Sequence, residues 1–400
     1  MSQSPYRSLL GLLASLAMVL LAIVDFRRGF LFEKTVYVYK TPYFIFSPWQ
    51  LALLVAGTAG GVLFARHLRH VDAKMTKVSL AGIFVLLLLD VALYRGVAAS
   101  RAIDAGKVGL DWLNAYEVGG VLKPLALTVS YVLTVWHATL LSCLGAGLAV
   151  LALPRLFGRL AGQSGWRGSF SGAAYSLTQP FCSCCAAMTA PGLFRTGHSM
   201  NFATAVLLGA PLLNISTLIL AGTLLPWPFA FIRIVGGVAI TLVLSALLSQ
   251  WLGSLPIDDR DERLLARTDA QSPSDVFTSW LKISGRIALV LVPSMIVGTI
   301  LAGIVWSLWP AQMENSPLAV LFTSLVGSLV MVSTWSEIPL AAQMIQHGMT
   351  GPAAAALVAL PAVNLGNLLI IGKVSRNWKL AAAMGAGIVV LSSAVGLAFL

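Results

Sequence analysis

The chain has 400 residues, of which 58% are hydrophobic and 10% charged, and its formal net charge is +11. So apolar a composition over this length excludes an ordinary soluble protein and reads as an all-α polytopic membrane protein. The basic residues are scattered in short loops between apolar runs, which argues for membrane topology and a lipid partner and against a nucleic-acid partner.

A helix needs about 20 apolar residues to cross a bilayer. Stretches 9–24, 49–65, 78–94, 124–153, 201–224, 229–252, 283–309, 352–371 and 380–400 fit that requirement, about nine spans. The first reads as a span and not as a secretory signal, because its basic start is limited to Arg7 and no small-residue cleavage site follows. Two further apolar pieces, 170–194 and 317–345, are interrupted. Pro180, Pro191 and Gly192 break the first and Gly197 follows it, and such punctuation fits a re-entrant hairpin facing protein or a water-filled cavity. Segment 253–279 holds Asp258, Asp259, Arg260, Asp261, Glu262 and Arg263 and reads as a linker. The expected organisation is a three-span region (1–122), a first unit (123–252), a cytoplasmic charged linker (253–279) and a second unit (280–400).

Lysine and arginine set the orientation. Arg260, Arg263, Arg267, Lys282 and Arg286 place the linker in the cytoplasm, and loop 311–316 has neither residue type. Keeping Arg155, Arg159 and Arg167 inside requires the first hairpin to enter and leave from the cytoplasm. The second then enters from outside, which puts Lys373, Arg376, Lys379 and the amino terminus in the cytoplasm. Arg27, Arg28, Lys34 and Lys40, with Arg95, Arg101, Lys107 and Lys123, run against this pattern in the first outer loops.

The two units share their punctuation. Cys182 to Gly197 and Ser333 to Gly348 each cover 15 positions, and Pro211 precedes Asn214 by three as Pro361 precedes Asn364. About nine transmembrane helices plus two re-entrant hairpins in an inverted repeat are therefore expected, an architecture of secondary transporters with a site near the midplane.

Cys182, Cys184 and Cys185 gather three of the chain's 4 cysteines at one helix break. Thiolates are soft ligands that select Cu(I), zinc and, by the same logic, trivalent arsenic or mercury, so these three are candidate metal ligands. Packing as small hydrophobes is the plain alternative, and the natural reading of Cys143. Ser183 at the first tip and Ser333, Thr334 and Ser336 at the second are candidate solute contacts. Glu337, the carboxylate of the second hairpin, is a candidate proton or cation site. His137 lies mid-span and suits either a proton relay or an interhelical hydrogen bond. Asn214, Asn364 and Asn367 follow mid-span prolines, where they line a path or bind a freed carbonyl. Thr189 and Gln343 are weaker candidates, and Asp90 with Tyr94 and Arg95 reads as an outer-end anchor.

Pro180-Phe181-Cys182-Ser183-Cys184, then Gly197, then the span with Pro211, resembles the signature of the predicted permeases that include the methylarsenite efflux permeases of bacteria. The resemblance runs from about Trp136 to the carboxy terminus. Cys185 stands where that pattern has glycine, and the second motif, Ser333-Thr334-Trp335-Ser336-Glu337, has no cysteine. The resemblance implies a permease of the bacterial cytoplasmic membrane, exporting a soft metal, metalloid or organometalloid without a cofactor. No Gly-x-x-x-x-Gly-Lys-Ser/Thr motif for ATP occurs. Two competing readings stand beside it: a membrane thiol oxidoreductase using Cys182 and Cys185, and a transporter of a small organic or sulfur-containing anion attracted by half-helix N-termini.

Overall fold

The computed structural model describes residues 5–28, 36–38, 41–43, 48–67, 163–177, 199–253, 273–307, 314–330 and 337–400, with isolated helical positions between 78 and 148 and between 183 and 194. Helices α1 (Pro5–Arg28) and α2 (Pro48–His67) pack along each other. Their approach is close because α2 is small-residued where they cross: a Cβ on Gly57 would stand 2.8 Å from the Ser15 carbonyl oxygen. Between them β1 (Val36–Val38) and β2 (Thr41–Tyr43) pair antiparallel, Val36 opposite Tyr43, a small departure from the all-helical expectation. The β-branched and aromatic residues of Val-Tyr-Val and Tyr43 suit extended pairing.

The remaining elements are α3 (Gly165–Leu177), α4 (Met200–Leu212), α5 (Ile215–Leu224), α6 (Trp227–Phe231), a π-helical turn (Ile232–Gly236) and α7 (Gly237–Leu252). After these come α8 (Pro273–Ser307), α9 (Pro317–Gly327), α10 (Glu337–Gln346), α11 (Thr350–Ala362), α12 (Leu365–Ser375) and α13 (Trp378–Leu397). Pro273, pre-organised for a first helical turn, starts α8 within the segment read as linker, so the boundary at 279 falls inside a helix.

Two helices sit at the centre. Every residue of α4 is buried, and so is every residue of α11 from Gly351 to Ala362. Apart from Asn201 and Thr204 near the start of α4 and Thr350 at the start of α11, both are apolar all round, the pattern of a helix with no solvent face. The run Pro-Ala-Ala-Ala-Ala in α11 lets neighbours come close. Helices α3 and α7 flank α4, α9 and α13 flank α11, and the groups meet through α4 on α11 and α7 on α13. Leu208, Leu212, Ile240 and Leu244 share one apolar cluster with Val358, Val363, Met384 and Ile388, while Leu220 and Phe229 share another with Ile338, Ala353 and Leu357.

Among the described residues, Trp227–Leu252, Thr350–Lys373 and Trp378–Leu397 are long and apolar enough to cross a membrane. Met200–Leu212 with Thr217–Leu224 adds a fourth candidate, bent by 40°.

Candidate functional site

The bend between α4 and α5 follows from Pro211. Proline has no N–H to give the carbonyl four residues back, and its ring crowds that turn, so the helix ends within a residue. Leu213 N–H closes the last turn onto the Gly209 carbonyl at 2.6 Å, and α5 restarts with Leu218 N–H donating to the Asn214 carbonyl at 3.0 Å. The terminal carbonyls of a half-helix need donors from elsewhere. Arg233 supplies them: Nη1 donates to the Leu212 carbonyl at 2.6 Å and Nη2 to the Pro211 carbonyl at 3.1 Å. A cation at the negative end of the α4 dipole is also electrostatically favourable.

Arg233 is 1% exposed and reaches this place because it sits in the π-helical turn. One extra residue in that turn shifts the helix face, a device common at functional sites. Gly237, next to it, permits the close approach: a Cβ there would lie 3.1 Å from the Leu212 carbonyl oxygen. The guanidinium then meets Glu337, with Nη2 to Oε1 at 3.5 Å, and Glu337 is itself 2% exposed. Glu337 begins α10, where a carboxylate complements the positive helix end. The ion pair thus ties the break between α4 and α5 to the start of α10.

The break between α11 and α12 is settled differently. Asn364 N-caps α12, its side chain accepting from Asn367 N–H at 3.0 Å and its carbonyl from Leu368 N–H at 3.0 Å. Its Nδ2 donates to Ser183 Oγ at 3.2 Å, and Leu365 N–H donates to the Leu329 carbonyl at 3.0 Å. Here Ser183, from the interrupted apolar piece 170–194, reaches the break between α11 and α12.

Of the residues expected from sequence, Ser183, Glu337, Asn364 and Asn367 are brought to the breaks, and Asn214 is buried at its own. Thr189 is buried and donates to the Ala186 carbonyl at 2.7 Å, while Gln343 is exposed on α10. Cys143 is a buried free thiol in helical residues 143–148, beside α8, whose Trp280 donates to the Leu144 carbonyl at 2.7 Å. Cys182, Cys184, Cys185, Ser333, Thr334, Ser336, His137, Asp90, Tyr94 and Arg95 lie outside the described residues.

Sequence reasoning missed Arg233. The signal was present: a single charged side chain within the apolar run 229–252 is costly enough to demand a partner. It also missed Asn201, whose Oδ1 accepts from Gly165 N–H at 3.1 Å and from Ser249 Oγ at 2.6 Å, joining α3, α4 and α7.

Comparison with known proteins agrees with this picture. The UPF0718 protein YraQ of Escherichia coli (strain K12) is 32% identical over 282 residues, covering 69% of this chain and 80% of that protein. The UPF0718 protein MJ0584 of Methanocaldococcus jannaschii is 30% identical over 124 residues, covering 29% of this chain and 33% of that protein. No solved structure matches. The predicted permease family ArsP_1 matches residues 125–400, which hold both breaks, Arg233 and Glu337. The chain belongs to that predicted permease family, a family of membrane permeases.

Proposed function

We propose that the protein is a secondary transporter of the bacterial cytoplasmic membrane, exporting a small soft solute: a metal, metalloid, organometalloid or sulfur-bearing ion. The solute passes where the hairpin tips meet the two helix breaks. The observation that carries this reading is the crossed arrangement. Ser183 bonds Asn364, 181 residues away, and Glu337 pairs with Arg233, 104 residues away. A site built from both units opens to either side when one unit rocks against the other. The recurring order of arm helix, tip, Pro-broken helix and span supports an inverted repeat, with Gly348 at φ +77 turning the second hairpin into α11. Cys182, Cys184 and Cys185 supply the soft ligands in this reading. An oxidoreductase needs a second redox pair, and the remaining cysteine, Cys143, is held 3% exposed against α8.

Two experiments test it. Single cysteines placed in 197–201 and in 348–351 are expected to react with an impermeant thiol reagent from opposite sides, the first from the cytoplasm. Labelling of both from one side would overturn the inverted repeat and the cytoplasmic amino terminus. Cys182→Ser and Cys184→Ser are expected to abolish transport or resistance while the protein stays in the membrane, measured in cells challenged with trivalent arsenic, methylated arsenic, copper, mercury or selenium compounds. Full activity in both variants would reduce the thiols to packing.

A further inference from the structure

The buried pair restricts the charge of whatever binds beside it. Helix α10 packs chiefly on α11 and α5, and neither carries a charged or titratable side chain. Glu337 is the titratable residue of α10 itself, so among the described residues Arg233 is the charged group that faces it. As it stands the pair is neutral. Protonating Glu337 alone leaves a buried guanidinium uncompensated, and adding an anion alone leaves a buried negative charge; both are strongly opposed in a low-dielectric site. Doing both at once changes the charge by nothing.

Arg233 also has capacity to spare. Its Nε–H is buried without a hydrogen-bond partner among the described residues. The Nε and Nη2 edge of a guanidinium accepts a carboxylate or other oxyanion with two parallel bonds. Glu337 meets that edge through Nη2 at 3.5 Å, longer than a charge-assisted hydrogen bond.

We propose that Arg233 reads an anionic group on the solute and that the solute, a small monoanion, moves together with one proton carried by Glu337. The anion takes the carboxylate's place on the guanidinium. A proton from the aqueous side adds to the released Glu337 carboxylate, and the net charge of the buried site is the same before and after. On the opposite side both leave and the pair re-forms. This rests on the secondary-transporter reading and narrows its solute to an anion; neutral hydroxides and bare cations do not meet the requirement.

The test uses formate as the probe and formamide as its neutral match, on the purified full-length protein in detergent, with gluconate holding ionic strength constant. In Glu337→Ala the vacated guanidinium is expected to bind formate, raising the thermal unfolding midpoint saturably by a few degrees. The effect is expected to be independent of pH between 5.5 and 8, absent with formamide, and absent in Arg233→Gln/Glu337→Ala. Glu337→Gln provides the same comparison if the alanine variant does not fold. In the wild type, apparent formate affinity is expected to weaken about tenfold per unit rise in pH, as one linked proton requires. Equal midpoints in formate and gluconate for both single variants would overturn the anion site and leave Arg233 a sealed helix cap. A flat wild-type response would overturn the proton linkage. Neither result depends on flux, so the transporter reading would stand or fall separately, on the labelling and resistance measurements.

Discussion

At Pro211 and at Pro361 the chain interrupts a fully buried helix in the same way, with asparagine three residues on, yet the two breaks are closed by different chemistry. The first gives its last carbonyls to a cation, Arg233, and that cation is balanced by Glu337 from the other unit. The second is closed by a neutral amide, Asn364, shared with the hydroxyl of Ser183. On the register that sets Pro211 on Pro361, 150 positions apart, Arg233 falls on Ala383; on the register that sets Cys182 on Ser333, Glu337 falls on Ala186. The Pro-x-x-Asn punctuation is shared, and among the described residues the buried ion pair stands at the first break. A neutral bond is a hinge at little electrostatic cost, whereas a buried ion pair commits the site to conserving its charge through any movement.

The largest effect expected from this difference follows removal of one charge. Arg233→Gln removes the guanidinium that faces the buried Glu337 carboxylate and the donor to Leu212 and Pro211. Breaking such a pair costs about 3–5 kcal/mol, and transport is expected to be lost. The double variant Arg233→Gln/Glu337→Gln is expected to recover more than half of that stability, because no lone charge remains, but not coupled flux. Unfolding midpoints of the two single variants and the double measure this directly. A single variant as stable as the wild type would mean that the pair is not buried in the working protein, and the contrast between the breaks would collapse.

A second comparison concerns how α3 and α9 pack on the central helices α4 and α11. In α4, a Cβ on Gly209 would stand 2.6 Å from Ser176 Oγ on α3, whereas in α9 a Cβ on Gly327 would lie 3.1 Å from Ala359 Cβ on α11. Alanine in place of glycine within a helix gains about 0.5–1 kcal/mol from backbone entropy. Overpacking costs about 1–3 kcal/mol. At Gly209 the clash wins, so Gly209→Ala is expected to destabilise by about 1–2 kcal/mol. At Gly327 a shift of a few tenths of an ångström relieves the contact, and Gly327→Ala is expected to be near neutral. Equal costs in thermal unfolding would show that α3 and α9 pack alike and remove this asymmetry.

The sequence was legible where the physics is local or compositional. Apolar runs announced membrane helices, and Pro211-x-x-Asn214 with Pro361-x-x-Asn364 announced breaks that the structure places at the ends of α4 and α11. Glu337 stood out because carboxylates are scarce in such a chain, and Asn364 because an amide beside a freed backbone has work to do. Arg233 did not stand out: it lies four residues into its apolar run, where a basic residue reads as an ordinary interfacial anchor. Its role depends on the π-helical turn, which no local pattern announces, and on Glu337, which is 104 residues away. The cap made by Asn364 could be read from its place before α12, but the donation to Ser183 is tertiary and had no counterpart in the sequence.

That donation gives a small expected effect on stability and the most direct test of whether the neutral break belongs to the transport path. Asn364 holds two partners here: its Oδ1 caps α12 through Asn367 N–H, and its Nδ2 reaches Ser183. Asn364→Ala removes both and is expected to cost about 1–2 kcal/mol, the usual range for a lost cap. Asn364→Ser keeps a capping oxygen and removes the donor to the hairpin, so it is expected to recover about 1 kcal/mol of that loss. If the hairpin contact only packs the fold, transport should recover with stability. If the contact positions the tip at the solute path, Asn364→Ser remains impaired in transport at near wild-type stability, and Ser183→Ala, which removes the acceptor and leaves the cap intact, reproduces the same defect. The decisive measurement is transport rate beside unfolding midpoint in these three variants, since a purely structural bond moves the two quantities together and a bond at the solute path separates them.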